Sequence, residues 1–360
     1  MNNETRKETQ VLPKDVRYVG ADDLTLPLFE NQYPVQPMGV SYNSYLILDE
    51  KIAVMDSVDA RAADEWLAKL AHELDGRSPD YLVISHMEPD HSGSILRLAE
   101  KYQEMKLVGN TKTFTMLRQF FGAKAPTDDR LLEVGEGETL PLGAHTLHFM
   151  LAPMVHWPEV MVAYEETEKI LFSADAFGRF GSLGRTANAP WAPQARRYYY
   201  NIVGKYGAQV QALLKKASAL EIETICPLHG PVLTGEALGE ALRLYDLWSR
   251  WQSESPDDIL LAHASIHGNT ARAAELLKQK LEVKGARVTL CDLTTTEVSY
   301  AVANAFYCGK LVLACSTYDG GLFPPMEEFL SHLQAKGFRD RSVGLMENGT
   351  WAPMAAKLMR

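Results

Sequence analysis

Short apolar blocks alternate with polar turns along the first part of the chain. Ser44-Tyr-Leu-Ile-Leu and Ile52-Ala-Val-Met-Asp56, joined by Asp49-Glu-Lys, predict a β-hairpin. Alanine and leucine then recur at helical spacing from Ala60 to Leu74, which predicts a surface helix. Tyr81-Leu-Val-Ile-Ser85 reads as a buried strand running straight into His86. Leu131 to Lys169 is β-rich, with turns at Gly135, Gly137 and Gly143. Ile170-Leu-Phe-Ser173 predicts a strand that ends just before Asp175, Ala208 to Leu220 a helix, and Ile222 to Cys226 a strand ending in Pro-Leu-His-Gly-Pro. The first ten residues are polar and are expected to be flexible.

The pattern changes at Ser253-Glu-Ser-Pro-Asp-Asp, a polar, proline-containing stretch that we read as a linker. Beyond it strands and helices alternate. The strands are Ile259–Ala262, Ala286–Cys291, Lys310–Cys315 and Arg341–Met346; the helices are Thr270–Lys284, Thr296–Asn304, Pro325–Lys336 and Trp351–Arg360. Regular alternation of this kind implies a parallel, doubly wound sheet. Two domains are therefore expected, 1–254 and 255–360.

Composition narrows the class. Of 360 residues, 46% are hydrophobic and 23% charged, an ordinary soluble globular balance. A net charge of −10 argues against nucleic-acid binding, which needs a basic face. No apolar run reaches the roughly 18 residues of a membrane span, and the N-terminal stretch lacks a secretory pattern. Cys226, Cys291, Cys308 and Cys315 form no CxxC pair, too sparse for a disulfide scaffold or a thiolate iron site, so a reducing cytoplasm is expected.

Candidate chemistry concentrates in His86-Met-Glu88-Pro-Asp90-His91, on the loop leaving a strand. His156 in Ala-Pro-Met-Val-His-Trp-Pro, Asp175 in Phe-Ser-Ala-Asp-Ala-Phe-Gly and His229 in Pro-Leu-His-Gly-Pro extend it. A lone histidine is more often a hydrogen-bonded structural residue, and an aspartate at a strand end is often a cap. Four imidazoles and three carboxylates together suffice for two metal ions with one carboxylate bridging. His72, His145, His148, His263, His267 and His332 match no metal motif; of these only His267 falls in another candidate loop.

The constellation resembles the metallo-β-lactamase-like fold, whose hydrolases carry HxHxDH at this loop. Glu88 stands where they have the second histidine, and a carboxylate there makes the site harder and favours iron over zinc. HxExDH followed by His, Asp and His is the pattern of the flavodiiron proteins, or A-type flavoproteins. The resemblance implies that His86, Glu88 and His156 hold one iron and Asp90 and His229 the other. His91 would be a further and least secure ligand, and Asp175 would bridge. Gln194-Ala-Arg-Arg-Tyr198-Tyr199-Tyr200-Asn201 is similar to the family's RRYY segment near the substrate pocket. Tyr198 or Tyr199 would then donate a hydrogen bond to bound gas, the alternative being plain packing.

In the second domain, Ser265-Ile-His267-Gly268-Asn269-Thr270 joins a strand to a helix. Hydroxyls and free N–H groups at a helix N-terminus suit a phosphate. No lysine follows, so this is not a nucleotide-triphosphate loop. A second loop runs Ser316-Thr317-Tyr318-Asp319-Gly320-Gly321-Leu322-Phe323, and a third holds Asn348, Gly349 and Trp351. These loops resemble those of flavodoxins and imply FMN. A flavodoxin-like domain has five strands and four are read here, so the domain is expected to be incomplete at its C-terminal end.

Together these resemblances imply an α/β chain: a metallo-β-lactamase-like αββα sandwich followed by a flavodoxin-like doubly wound parallel sheet. The activity implied is reduction of O2 to water and/or NO to N2O at a non-haem diiron site fed by FMN. The family's head-to-tail homodimer, or a dimer of dimers, would bring one subunit's FMN to the other's irons. With no rubredoxin-like CxxC pair in the chain, a rubredoxin-like or other reductase would supply electrons. No nucleic-acid or membrane partner is expected. A metallo-β-lactamase-superfamily hydrolase with a flavodoxin-like appendage is the alternative, and an electron carrier with a structural first domain a further one.

Overall fold

The hairpin forms where the apolar blocks place it. Strands Tyr45–Ile47 and Ala53–Met55 pair antiparallel, with Tyr45 opposite Met55. They belong to a computed structural model that describes residues 12–360; the expected flexible first ten residues lie outside the described residues. The chain forms two compact units. One runs up to Tyr198 and resumes over Ala208–Arg243; the other takes Tyr199–Gly207 and Leu244–Arg360. The units therefore divide earlier than residue 254, within the helix Gly235–Ser249.

In the first unit the hairpin sits in a six-stranded sheet. Ala53–Met55, Tyr81–Val83, Lys106–Gly109 and Leu131–Glu133 run parallel, with Val16–Tyr18 antiparallel at the other edge. A second six-stranded sheet runs Thr139–Pro141, Thr146–Leu151, Met161–Glu165, Ile170–Phe172, Thr224–Cys226 and Leu233–Thr234. One apolar cluster fills the space between them. Ile47, Met55, Val83 and Val108 come from the first sheet; Leu147, Phe149, Met161 and Phe172 come from the second. Helix Ala63–Leu74 buries Trp66, Leu70 and Leu74 on one stripe, at the predicted spacing. Truncating a fully buried leucine such as Leu70 to alanine costs about 2–5 kcal/mol.

Strand direction places the chemistry. Ile170–Phe172 and Thr224–Cys226 are parallel, with Phe172 opposite Cys226, so both end at the same edge. Asp175 and His229 follow shortly after those ends. Met55 and Val83 are likewise paired in parallel, which sets Asp56 beside the turn into His86. Asp56, Met154, Ala174 and Phe177 all have positive φ without being glycine. Such strain clusters where function over-determines the backbone.

The second unit has the strand order Val288–Asp292, Ser255–Ala264, Cys308–Tyr318, Ser342–Asn348, all parallel, which is the 2-1-3-4 order of flavodoxin-like sheets. Most of the stretch read as a linker, residues 255–258, instead starts the first strand. Its register shifts between Ser255 and Ile259, an irregularity that accommodates Pro256, which has no N–H for a regular ladder. The helix expected over Trp351–Arg360 is shorter, Ala355–Met359. Pro353 disfavours helical backbone in the residue before it, and Ala352 has φ +41°. Among the described residues Ser342–Asn348 pairs only with Cys308–Tyr318, and no helix is long and apolar enough to cross a membrane.

Candidate functional site

All seven residues singled out in the first domain converge. His86, Glu88, His156 and Asp175 form one group and Asp90, His91 and His229 another; within each, the candidate ligand atoms lie within 4.8 Å of one another. Asp175 joins the two groups with separate oxygens. Its Oδ2 lies 3.0 Å from His156 Nε2 and 3.4 Å from His86 Nε2, and its Oδ1 lies 3.2 Å from His91 Nε2 and 3.7 Å from His229 Nε2. Glu88 Oε2 is 3.0 Å from His156 Nε2, and Asp90 Oδ2 is 3.2 Å from His229 Nε2. His91 Nε2 also lies 3.1 Å from His229 Nε2, so its ring is turned into the site.

The donor set fits two cations. Both oxygens of Asp90, both of Asp175 and His156 Nε2 are buried without a hydrogen-bond partner, a state that costs free energy unless another group satisfies them. Burial alone would keep His86 neutral, yet Asp175, Glu159 and Glu88 raise its pKa well above the ordinary value. His156 is pushed up to about 9 against its burial by Asp175 and Glu88. Asp175 is driven well below the carboxylate range despite complete burial, by His86, His156 and His91. The pocket thus draws protons onto its imidazoles, and metal ions take the place of such protons on binding.

Residues the motif did not reveal hold the ligands in place. Glu159 Oε1 lies 2.7 Å from His86 Nδ1 and accepts the Met87 N–H at 2.8 Å, orienting the ring so that Nε2 faces inward. Ser41 O is 2.7 Å from His229 Nδ1. Asp56 Oδ1 accepts N–H groups from Ser85 and His86, pinning the loop. Carboxylate and carbonyl partners of this kind fix the tautomer of a ligating imidazole. Glu159 follows His156 by one tight turn, and Asp56 ends a hairpin strand; those positions are the only sequence signal they carry.

His229 is ringed by Phe29, Tyr42 and Tyr198, at centroid distances of 5.3, 6.1 and 5.6 Å. The Tyr198 hydroxyl is buried without a hydrogen-bond partner among the described residues. Tyr199 differs from the expectation. Successive residues on a helix turn by about 100°, and Tyr199 packs in the second unit against Tyr245 and Trp248, at 5.0 and 5.3 Å. Over Glu88 and Asp90 opens a cleft of about 600 Å³ lined by Leu26, Phe29, Glu30, Tyr42, Asp59 and Arg61.

The loops singled out in the second unit also gather. Gly268, at φ +84°, turns the chain into helix Asn269–Val283. Thr270 Oγ1 is 2.7 Å from Ser316 Oγ and accepts from Asn348 Nδ2 at 3.4 Å. Ser265 Oγ is buried without a partner, an open donor at the phosphate-type loop. His267 is exposed. The second loop is a tight hairpin: Tyr318 pairs with Gly321 across Asp319-Gly320, both at positive φ, the dipeptide such a turn favours. Tyr318 and Phe323 contact at 5.7 Å; Thr317 Oγ1 accepts from Met354 N and Ala355 N, tying Gly349's loop down; Trp351 is exposed.

A two-sheet sandwich carrying two adjoining groups of residues that could hold metal ions, followed by a sheet of flavodoxin order, is the flavodiiron architecture. The chain belongs to the family described as ODP family beta lactamase, whose model matches residues 40–230. It is 28% identical over 353 residues to the rubredoxin-oxygen oxidoreductase of Megalodesulfovibrio gigas, covering 95% of this chain and 85% of that protein. It is 27% identical over 350 residues to the anaerobic nitric oxide reductase flavorubredoxin of Vibrio vulnificus, covering 94% of this chain and 69% of that one. The solved flavodiiron protein of Giardia intestinalis matches with a TM-score of 0.88 at 27% identity, covering 96% of this chain and 84% of that one.

Proposed function

We propose that the chain is a flavodiiron reductase of O2 and/or NO, with electrons passing from FMN to a non-haem diiron site. The observation that carries this is Asp175, whose two oxygens face separate ligand groups, one of which contains the carboxylate of Glu88. In this reading His86, Glu88 and His156 would hold one iron and Asp90 and His229 the other, with His91 a further ligand and Asp175 shared between the two. Ser265, His267, Gly268, Asn269 and Thr270 would hold the FMN phosphate; Ser316 to Phe323, with Asn348, Gly349 and Trp351, would border the flavin ring.

Bound ferrous ions supply open coordination positions and two electrons, and reduced FMN supplies two more. That equals the four that O2 needs to reach two waters and exceeds the two that couple NO to N2O. The chain's own residues do the rest. Glu159 and Ser41 keep His86 and His229 oriented. Phe29, Tyr42 and Tyr198 wall the site, and the Tyr198 O–H, which has no partner among the described residues, would be available to a small molecule bound there. A redox protein of rubredoxin type is the natural donor, and a head-to-tail homodimer would bring FMN to the irons. Four buried, unbridged cysteines suit a reducing cytoplasm.

The test is anaerobic stopped-flow of the reduced protein against each gas, with iron and flavin quantified first. Two irons and one FMN per chain with rapid oxidation by O2 or NO support the reading. Stoichiometric zinc, no iron and no reaction with either gas would turn it into the hydrolase alternative.

A further inference from the structure

The loop that carries His229 is held by a short segment far earlier in the chain. Asn43 Nδ2 donates to Pro227 O at 2.8 Å and to Gly230 O at 2.7 Å, carbonyls that lie on either side of His229. The Asn43 backbone N–H donates to Leu228 O at 2.8 Å, and the Leu228 N–H donates to Ala174 O at 2.9 Å, beside Asp175. The Tyr45 hydroxyl donates to Pro227 O at 2.9 Å, and the Gly230 N–H donates to Ser41 Oγ at 2.8 Å. Asn43 and His229 are both fully buried. Three consecutive positions, counted from Ser41 to Asn43, thus form a cradle under the loop.

The Asn43 amide has one orientation open to it. Carbonyl oxygens only accept, so the edge facing Pro227 and Gly230 must be the NH2, and both of its N–H groups are used. The other edge, Oδ1, accepts from the Tyr18 hydroxyl at 3.1 Å. Asn43 and Ser41 therefore act on different freedoms. Ser41 O fixes the rotation of the His229 ring through Nδ1, whereas Asn43 fixes the peptide groups that carry the ring. From the opposite side the loop is wedged: Gly230 has φ +82°, and a Cβ there would stand 2.7 Å from Arg179 Cγ. A metal constellation has to be held to about 0.5 Å, and His229 Nε2 stands 3.2 Å from Asp90 Oδ2 and 3.7 Å from Asp175 Oδ1.

We infer that Asn43 is the positioning residue of the Asp90–His229 metal and that it acts through the backbone on both sides of His229. The inference rests on the two-metal reading of the site. Asn43 itself touches neither metal group: its amide reaches only two carbonyls and one phenol. Its loss should therefore fall on one metal of the two, because none of these bonds reaches His86, Glu88 or His156. Outer partners of ligating histidines are worth about 10–100-fold in metal affinity, and an amide that sets the ligand's backbone belongs at the lower end of that range.

The experiment places Asn43→Ala and Tyr18→Phe in three backgrounds: wild type, His156→Ala and His229→Ala. Each protein is loaded with iron and FMN, checked by circular dichroism, and titrated anaerobically with a chelator while retained metal per chain is counted. Asn43→Ala should weaken one metal about tenfold and leave the other and FMN as they were. Tyr18→Phe keeps the amide but frees its oxygen edge, so the same metal should weaken by a smaller factor; it carries the test should Asn43→Ala not fold. In His156→Ala each loss should persist. In His229→Ala neither variant should lose anything further, since the role passes through that imidazole. Unchanged affinity in both variants, equal weakening of the two metals, or a loss that persists without the His229 ring would overturn the assignment and leave Asn43 a plain structural residue. Wild type that holds zinc and consumes neither gas, with the same dependence on Asn43, would refute the reductase reading and leave the positioning role in place.

Discussion

Glu159 tests how far the metal site depends on a residue that touches no metal. Its side chain is buried, and a single oxygen, Oε1, serves both His86 Nδ1 and the Met87 N–H, at 2.7 and 2.8 Å. Its other oxygen has no partner. Burial opposes its charge, but His86 holds its pKa below the ordinary glutamate value. Glu159→Gln keeps the shape: the amide oxygen takes the place of Oε1, and the NH2 group falls where nothing was bonded. What is lost is charge, so His86 becomes a weaker base and ligand. Glu159→Ala removes both hydrogen bonds and frees the ring to turn.

Removing the outer partner of a metal-ligating histidine costs about 10–100-fold in affinity. At about 1.4 kcal/mol per tenfold, the glutamine variant should lose roughly 1.4 kcal/mol and the alanine variant roughly 2.8 kcal/mol. The loss should fall on the metal held by His86, Glu88 and His156, because Glu159 bonds neither Asp90 nor His229. Anaerobic competition with a chelator, read as metal retained per chain, resolves the two sites; circular dichroism shows whether the fold survives. Wild-type affinity in Glu159→Ala, or a loss confined to the Asp90–His229 metal, would refute the reasoning.

Asp175→Asn should leave one metal per chain and normal FMN, because only a carboxylate supplies an anionic oxygen to each group; two retained metals by elemental analysis would show that Asp175 does not bridge. Ser265→Ala should weaken FMN about fivefold, roughly the 1 kcal/mol of one hydrogen bond, with iron content unchanged on titration. His263 is buried, and its pKa is lowered by that burial, with Asp292 and Glu275 offsetting part of the shift. A depressed histidine pKa means that the unfolded chain takes up the proton first. Stability is then complete above about pH 6.5 and declines as pH falls through the folded value. Thermal scans of the metal-free protein should show a decline below pH 6.5 that His263→Leu reduces; equal slopes would place the acid lability elsewhere. Reduced protein should consume O2 with little peroxide released and should also consume NO; peroxide as the main product would point to FMN reacting alone.

The residues that gather in the first domain were legible because their chemistry is local. His86 to His91 occupy one turn, and His156, Asp175 and His229 each sit beside the Gly or Pro of a tight loop after a strand. The order of the second sheet was legible for a similar reason: strands and helices alternate, and a parallel sheet needs such crossovers. Residues 253–258 misled because a proline and three acids look like a linker, whereas a register shift between Ser255 and Ile259 lets residues 255–258 begin an interior strand. Glu159, Ser41 and Asp56 could not be ranked from sequence, because each acts through one hydrogen bond to a residue distant along the chain.

Tyr198, Tyr199 and Tyr42 show the same limit on a finer scale. The resemblance carried by the run of tyrosines implied a phenol near the substrate pocket but not which one. A helix distributes neighbours around its axis, so only one of two adjacent side chains can face a given site. Here Tyr198 packs on His229, while Tyr199 packs on Tyr245 and Trp248. Tyr42 carried no motif at all. It lies in the strand Val40–Tyr42, and its partner Arg61 lies at the start of the helical segment that follows the hairpin. The contact between them is made by the fold: Arg61 Nη2 donates to the Tyr42 hydroxyl oxygen across 19 positions of sequence.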